Sequence, residues 1–443
     1  MHSLLKSVED RLNKLESIKH VVIAFSGGVD SHVLLHICRQ LKSQFKAIHF
    51  QAIHIDHGLQ QNSKDWVAHC EKVSSQLKVD FLSIEVDAVN KGDGPEQTAR
   101  KARYKALLKH TSKQTLVFTA QHQDDQAETL LLQLLRGCGV QGLASMPALD
   151  NFGLGFIARP FLQQPQQSII DYARQNNLSW IDDPSNQDIS LDRNYLRHEV
   201  IPLIKKRWPA FSSTTSRTAR LCAETNDVLE TVADDYLSKY NEKILEIEKI
   251  QSLSDDFQRI ILRHWLRQNN IQNPSLKIIL EIQKAVIAAD IDKTPLVQWA
   301  DTQIRRYNNK LYLLGILKQP LEGLAANFIE GEYKLPHSLG SLKVTKNLGK
   351  GIKAVNWEQS KPEVRFRRGG ERIKLFGREG TKKLKSLLHE NKVLPWVRDS
   401  LPLIFIDNEL VAIADLWIAE AFLAADDEAG YCLNWEHPEL TIF

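Results

Sequence analysis

A run of apolar residues followed by a glycine-containing turn constrains the fold more than any other stretch of this chain. Residues 21–25 read Val-Val-Ile-Ala-Phe, which predicts a buried strand of a parallel sheet. The turn at 26–31 reads Ser-Gly-Gly-Val-Asp-Ser, and apolar residues at helical spacing follow it. A strand, a glycine turn and a helix start direct backbone N–H groups at one anion. The sequence therefore predicts a phosphate-binding loop where the first strand ends.

The residue types in this turn suit a nucleotide phosphate. Two adjacent glycines, Gly27 and Gly28, let the backbone approach a ligand without interference from a Cβ atom. The hydroxyl groups of Ser26 and Ser31 can donate to phosphate oxygens, and Asp30 can hold a Mg²⁺ ion that bridges phosphates. The alternative is an ordinary turn that uses two glycines for tightness. A Walker A loop is excluded, because the pattern G-x-x-x-x-G-K-[ST] does not occur.

Short apolar strands alternate with helical patterns from the first strand to about residue 162. Repeated strand–helix units predict an α/β domain with a parallel sheet, whose ligands bind at the carboxyl ends of the strands. The further strands are predicted at 47–55, 79–86 and 115–120, and the helices between them at 63–78, 95–109 and 124–135.

The rest of the chain predicts a mostly helical middle domain and a small β-rich (α+β) C-terminal domain. Helical spacing covers 217–235, 257–266 and 276–287, and strand pairs are predicted at 298–314 and 403–413. Residues 361–398 hold twelve Lys or Arg against four acids, whereas residues 399–443 hold ten acids and neither Lys nor Arg. We expect domain boundaries that give residues 1–212, 213–345 and 346–443, with one basic face on the last domain.

The cysteine spacing and the hydropathy of the chain indicate the cellular compartment in which we expect it. The five cysteines lie far apart without a C-x-x-C pair, which predicts neither a disulfide framework nor a zinc site and favours a reducing cytoplasm. Residues 1–19 lack the apolar core of a signal peptide. No run of about 18 uncharged apolar residues occurs, so we expect no membrane partner.

A second polar cluster, residues 121–129, follows the strand at 115–120. Asp125 and Glu128 are three positions apart and share one helix face. Paired carboxylates at the end of a strand can bind magnesium, a cationic substrate, or both. The alternative is an acidic first turn that suits the helix dipole.

Three further positions allow a functional and a structural interpretation. Arg100 lies on the helix at 95–109 and can reach a phosphate or belong to a solvated face. His57 follows the second strand and can contact an adenosine or be a hydrogen-bonded structural histidine. Arg193 and Arg197 are four apart and can clamp a phosphate or form surface ion pairs.

Together these motifs resemble those of the tRNA(Ile)-lysidine synthetase family, which belongs to the ATP pyrophosphatases. The match covers about the first 210 residues, and weaker signals follow at 367–371 and 382–385. The matching stretches are 26–31, 55–59, 96–104, 122–129, 136–143, 183–186 and 193–197.

The resemblance implies a two-step reaction on the wobble cytidine of an isoleucine tRNA with a CAU anticodon. The C2 carbonyl oxygen of the cytosine would attack the α-phosphate of ATP and release pyrophosphate. The ε-amino group of free L-lysine would then displace AMP and form lysidine. The two later domains would bind the tRNA, and a homodimer is compatible with this picture.

The resemblance also implies roles for individual residues. ATP would be bound by Ser26, Gly27, Gly28, Val29, Asp30, Ser31, His57 and Arg100, and Mg²⁺ would be held by Asp30. The catalytic residues would be Asp30, Asp125, Glu128 and Arg193. Asp125 and Glu128 can hold the lysine ammonium group and accept its proton, and the sequence leaves open which of them is the base.

Three other functions fit part of this pattern. A tRNA sulfur transferase of the same loop class would need a reactive cysteine pair or an iron–sulfur site, but Cys38 and Cys70 lie in predicted helices and Cys138 stands alone. An amidoligase, which makes an amide from ammonia, is disfavoured because the sequence shows no glutaminase nucleophile and the basic terminal domain would have no purpose. A non-catalytic RNA-binding protein with ATP as a structural ligand would not need paired acids near the phosphates.

Overall fold

A computed structural model of the chain describes residues 2–15, 17–56, 63–86, 95–238, 244–290, 293–316, 324–325, 330–335 and 339–436. The chain divides into two compact units, Met1–Glu230 and Thr231–Phe443. The division into domains at 1–212, 213–345 and 346–443 stays a prediction.

A six-stranded sheet forms the centre of the first unit. Its strands are β1 (His20–Ala24), β2 (His49–Asp56), β3 (Asp80–Glu85), β4 (Thr115–Phe118), β5 (Leu149–Phe152) and β6 (Gly155–Ala158). The spatial order is β3-β2-β1-β4-β6-β5. All neighbours pair in parallel except β5, which runs antiparallel to β6 at the edge. The predicted parallel sheet is confirmed, and the edge hairpin is an addition that the sequence did not predict.

Helices cover both faces of this sheet. They are α1 (His2–Asn13), α2 (Val29–Leu41), α3 (Ser63–Gln76), α4 (Pro95–Leu108), α5 (Gln123–Leu135), α6 (Val140–Leu143), α7 (Gln166–Gln175), α8 (Asp192–Tyr195), α9 (Ile201–Arg207) and α10 (Phe211–Leu237), the last of which continues into the second unit. Alternate residues of β1 face two different cores, since Val21 and Ile23 belong to one cluster and Val22 to another. Burial on both faces explains why β1 is a continuous apolar run.

The second unit combines helices with several small sheets. Its helices are α11 (Ile247–Gln251), α12 (Asp255–Gln268), α13 (Leu276–Glu281), α14 (Ala354–Gln359) and α15 (Leu384–Glu390). Its strands are β7 (Ile244–Glu246), β8 (Leu296–Trp299), β9 (Thr302–Tyr307), β10 (Lys310–Gly315), β11 (Leu324–Ala325), β12 (Gly331–Lys334), β13 (Ser341–Leu348), β14 (Ile352–Lys353), β15 (Glu363–Arg365), β16 (Arg372–Ile373), β17 (Lys382–Lys383), β18 (Leu403–Ile406), β19 (Glu409–Ile413), β20 (Trp417–Ile418) and β21 (Ala429–Glu436). The sheets have the orders β7-β10-β9-β8, β11-β15-β18-β19-β20, β12-β13-β21-β14 and β16-β17.

The hairpin predicted at 403–413 is confirmed as β18 and β19. Ile406 pairs with Glu409, which leaves Asp407 and Asn408 as a two-residue turn. Their φ angles of 49° and 65° are the left-handed values that such turns require. Among the described helices, none has the length and apolar character needed to cross a membrane.

Candidate active site

The turn at residues 26–31 joins β1 to α2, as predicted. Gly27 has a φ of +85°, and a Cβ atom there would lie 3.0 Å from the Sγ atom of Cys70. Only glycine meets both conditions without strain. The backbone N–H of Ile181 donates to the carbonyl of Gly27 over 3.1 Å. Gly28 is the N-cap residue of α2 and supplies no side-chain cap, so the helix N-terminus is left for another acceptor.

The two serine hydroxyls close this turn on itself. The Oγ atoms of Ser26 and Ser31 lie 3.1 Å apart. Ser31 Oγ donates to the carbonyl of Gly28 over 3.0 Å and accepts from the N–H of Ser26 over 3.2 Å. These bonds hold the turn in place before any ligand arrives. A phosphate that used either hydroxyl would replace one of them.

A histidine and a cysteine lie beneath the turn. His54 Nδ1 is 2.9 Å from the carbonyl oxygen of Phe25, and Cys70 Sγ is 3.5 Å from the same nitrogen. Burial lowers the pKa of His54 and raises the pKa of Cys70 to about 12. Burial also raises the pKa of the Cys38 thiol. Neither thiol is therefore ionised near neutral pH, which argues against the nucleophile that a sulfur transferase would need.

The start of α5 is organised by His122, which was not among the predicted site residues. The backbone N–H of His122 donates to Asp125 Oδ2 over 3.0 Å, and the ring Nδ1 of His122 accepts from the backbone N–H of Asp125 over 3.4 Å. Because Nδ1 is an acceptor, the neutral ring carries its proton on Nε2. That nitrogen lies 3.4 Å from Asp125 Oδ2 and 3.7 Å from Asp30 Oδ2. The sequence signal was the spacing of three between a capping residue and an acid.

Asp30 is a carboxylate with an unused oxygen. Its Oδ1 atom is buried and has no hydrogen-bond partner in the described part of the chain, although 30% of the side chain is exposed. Burial raises the pKa of Asp30 to about 6; His122 and the positive charge of Arg197 oppose this rise, and the charge of Asp125 reinforces it. An orphaned carboxylate oxygen is the group that a bound cation satisfies.

Mg²⁺ fits this position better than a metal that needs a cage of protein ligands. Among the described residues, no group of three or more His, Cys, Asp or Glu could hold a metal. Magnesium is usually bound by one or two carboxylates together with substrate phosphates. Asp30 offers such a carboxylate on the first turn of the helix that begins at the phosphate loop.

Glu128 is almost fully buried and is neutralised by two arginines. Its side chain is 1% exposed. Arg197 donates to Oε1 over 2.6 Å and to Oε2 over 2.8 Å, and Arg193 donates to Oε2 over 3.0 Å. Arg197 also donates to Asp125 Oδ1 over 3.1 Å, so it bridges the two acids that the sequence placed on one helix face. Both oxygens of Glu128 are thus occupied, and its predicted contact with lysine would require an arginine to move.

The segment that carries Arg197 departs from a regular helix. Residues Leu196–Val200 form a π-helical turn between α8 and α9. Burial works to lower the pKa of Arg197, but the hydrogen bonds and charge of Glu128 outweigh it and raise the pKa. Arg197 is therefore a permanent cation. The sequence offered Arg193 and Arg197 as a pair, and both donate to Glu128 in the structure; the catalytic role of Arg193 stays a prediction.

Asp124 ties later helices to the start of α5. It forms an ion pair with Lys205, and it accepts a hydrogen bond from Ser212 Oγ over 2.5 Å. Burial acts to raise the pKa of Asp124, but the bonds from Lys205 and Ser212 outweigh it and lower the pKa. The Asp124 carboxylate therefore has a structural role, because it holds Lys205 and Ser212 at the start of α5.

Two of the predicted ATP ligands are not placed against the loop. His57 lies outside the described residues. Arg100 lies on the exposed side of α4, with its guanidinium carbon 5.0 Å from the centre of the Tyr104 ring. Their roles in binding ATP stay predictions.

Comparison with known proteins extends these observations over nearly the whole chain. Residues 3–204 match a family model described as a PP-loop domain, residues 245–312 a TilS substrate binding domain, and residues 363–435 a TilS substrate C-terminal domain. The tRNA(Ile)-lysidine synthase of Coxiella burnetii is 38% identical over 434 residues, which cover 97% of this chain and 96% of the relative. The enzyme of the same name from Methylococcus capsulatus is 37% identical over 423 residues, covering 93% and 95%. That of Proteus mirabilis is 35% identical over 409 residues, covering 91% and 92%.

Proposed function

The chain belongs to the tRNA(Ile)-lysidine synthase family, and we propose that it makes lysidine in two steps at the site around Asp30. It is a ligase that acts on tRNA(Ile), and its PP-loop domain binds ATP. In the first step, the C2 oxygen of the wobble cytidine of the CAU anticodon attacks the α-phosphate of ATP, and pyrophosphate leaves. In the second, the ε-amino nitrogen of free lysine attacks C2, and AMP leaves. The observation that supports this most is a phosphate loop beside a carboxylate with an unused oxygen.

In the first step, the chain must stabilise the charge that develops on pyrophosphate. The N-terminus of α2, which has no side-chain cap, is a fixed set of backbone donors for an anion. Asp30 would hold Mg²⁺, which supplies positive charge to the phosphate oxygens when it is bound. The hydrogen bonds between Ser26 and Ser31 keep the loop in shape, so little reorganisation is needed during the reaction.

In the second step, lysine arrives as a cation and must lose a proton. We assign this contact to Asp125, because its side chain is 16% exposed whereas that of Glu128 is 1% exposed. His122 Nε2, 3.4 Å from Asp125, orients that carboxylate. Glu128 acts through Arg193 and Arg197 as a positioning residue.

Incorporation of labelled lysine tests the proposal. The purified chain is incubated with ATP, Mg²⁺, labelled L-lysine and tRNA(Ile) with a CAU anticodon. We expect label in the RNA, together with AMP and pyrophosphate in equal amounts. Release of ADP and orthophosphate, or labelling without ATP, would exclude the adenylation step. A parallel reaction with a sulfur donor in place of lysine tests the sulfur transferase alternative.

We also propose that the protein acts in the cytoplasm and forms a homodimer. All five cysteines are unpaired in the structure, as expected in a reducing compartment. Light scattering of the purified protein measures the oligomeric state.

The basic part of the C-terminal region is proposed to grip the tRNA through phosphates. Lys382, Lys383 and Lys385 are exposed at β17 and the start of α15. Within the described residues none of the three forms an ion pair, so their charge is available to a polyanion. Neighbouring cations differ, since Lys374 pairs with Glu420 and Arg378 with Glu390.

Neutralising these three lysines is expected to weaken tRNA binding and its salt dependence. Each lost phosphate contact reduces the magnitude of the slope of log K against log salt by about 0.7–0.9, so the triple glutamine variant should lose about 2–3 units of slope. The measurement is a filter-binding titration between low and physiological salt. The control replaces Lys46, Lys109 and Lys113, which are exposed near the amino ends of β2 and β4. An equal slope in the two triple variants would contradict this assignment.

A further inference from the structure

A basic cavity of about 260 Å³ lies between α1 and the segment at residues 159–164. None of its lining residues belongs to the phosphate loop or to the carboxylate cluster at α5. Four cations and one acid line it, namely Lys6, Arg11, Lys14, Arg159 and Asp10. The lysidine reaction as derived above makes no use of these groups.

Arg159 is a buried cation of this cavity whose hydrogen-bonding capacity is only partly used. It directly follows β6 and is only 5% exposed. One guanidinium nitrogen, Nη1, donates to the carbonyl of Pro147 over 2.7 Å, whereas Nε is buried without a hydrogen-bond partner. No carboxylate of the described chain forms an ion pair with it. A buried charge without a counter-ion is unfavourable, and a bound anion would compensate it.

The helix opposite Arg159 supplies further positive charge. Lys6 and Arg11 on α1 and Lys14, the residue directly after it, line the same cavity. Lys6 and Lys14 are exposed, and neither forms an ion pair among the described residues. Ser3 Oγ donates to Gln164 Oε1 over 3.0 Å, which joins α1 to the other wall. The cavity is thus a concave surface whose lining side chains carry a net charge of +3, from four cations and one acid.

We propose that this cavity binds a phosphate group. A planar guanidinium suits the oxygens of a phosphate, and the lysines on the rim add charge. The group can come from two sources, a phosphodiester of the RNA substrate or a free phosphate ion. The RNA source is favoured because the cavity adjoins the helix that carries Asp125. The carbonyl of Gln164, which lines the cavity, accepts from the N–H of Gln123 at the start of that helix over 3.0 Å. Only the RNA source rests on the proposed function.

The first arm of the test uses inorganic phosphate and the full chain, with the ATP site filled by a non-hydrolysable ATP analogue. At constant ionic strength, phosphate should raise the Tm of the wild type by about 2–4 °C in a saturable manner. Arg159→Met should abolish this rise. The exposed double variant Lys6→Gln/Lys14→Gln should reduce it, which covers the case in which Arg159→Met does not fold.

The second arm measures tRNA binding against salt. If the cavity holds a phosphodiester, Lys6→Gln/Lys14→Gln should lower the log–log salt slope by about 1–2 units and raise KM for tRNA several-fold at unchanged kcat. The control is Lys109→Gln/Lys113→Gln, exposed near the amino end of β4.

The two arms separate the sources and the failures. A response in the first arm alone identifies a free anion as the ligand, and a response in the second identifies the RNA. If phosphate raises the Tm of the variants as much as that of the wild type, and Lys6→Gln/Lys14→Gln has the salt slope of its control, the cavity is not an anion site. Lysidine formation by the wild-type preparation, measured alongside, shows separately whether the proposed function holds.

Discussion

Asp30→Ala is expected to lower the rate of AMP formation by about 10³-fold, with tRNA binding unchanged. Asp30 holds the one carboxylate oxygen at the phosphate loop that is buried and unpartnered among the described residues. Its removal takes away the group proposed to bring positive charge to the phosphates. The measurement is the release of labelled pyrophosphate from ATP in the presence of tRNA. Full activity of this variant would remove Asp30 from the mechanism.

The stability of an Asp30 variant should move in the opposite direction from its activity. Burial raises the pKa of Asp30 from 3.8 to about 6. A raised pKa means that the folded state favours the protonated acid, so its contribution to stability is present below pH 3.8 and is lost as the pH rises through about 6. At pH 7, without nucleotide or magnesium, Asp30→Asn should therefore unfold at a temperature no lower than the wild type.

This pair of results distinguishes a functional carboxylate from a structural one. The control is Asp150→Asn, an exposed acid on β5, which should leave both activity and Tm unchanged. An Asp30→Asn variant that lost activity together with a large fall in Tm would point to misfolding. Groups that cost stability in the free enzyme and serve the reaction are typical of active sites.

Local chemistry explains which parts of the fold could be predicted. The strand–turn–helix at residues 21–31 and the hairpin at 403–413 depend on apolar runs and turn residues that are adjacent in the sequence. The β5–β6 edge hairpin was not predicted, because its strands are four residues each and carry little alternation. The sheet β7-β10-β9-β8 was predicted only as a strand pair, since β7 joins from more than fifty residues earlier.

The sequence predicted which residue types form the candidate site, but not which side chains pair with one another. The sequence placed Asp125 and Glu128 on one helix face, and Arg197 bridges both in the structure. Glu128 and Arg193 are 65 positions apart, and Glu128 and Arg197 are 69. No local pattern states that these arginines fold back onto this acid. For that reason the sequence suggested a free carboxylate for lysine, whereas Glu128 is neutralised by its neighbours.

Glu128→Gln should destabilise the protein by about 3–5 kcal/mol, because it leaves two guanidinium groups without their shared counter-ion. Glutamine keeps the size of the side chain and one acceptor oxygen, so the effect reports the charge. The measurement is the free energy of unfolding from a urea titration. The control is Glu363→Gln, which breaks a partly exposed pair with Arg365 and should cost about 0–1 kcal/mol. A further substitution, Arg193→Gln, should recover part of the loss, because it removes one of the two cations that Glu128 neutralises.

The two partial reactions decide how Glu128 contributes to catalysis. A positioning residue that holds Arg197 against Asp125 affects the whole site, so Glu128→Gln should slow both pyrophosphate release and lysine transfer, each by about 10²-fold. If Glu128 instead contacted lysine directly, pyrophosphate release would stay at the wild-type rate and only KM for lysine would rise. That second pattern would return the lysine contact from Asp125 to Glu128. It would also require Arg193 or Arg197 to leave the carboxylate when the substrate binds, since both oxygens of Glu128 are occupied in the structure.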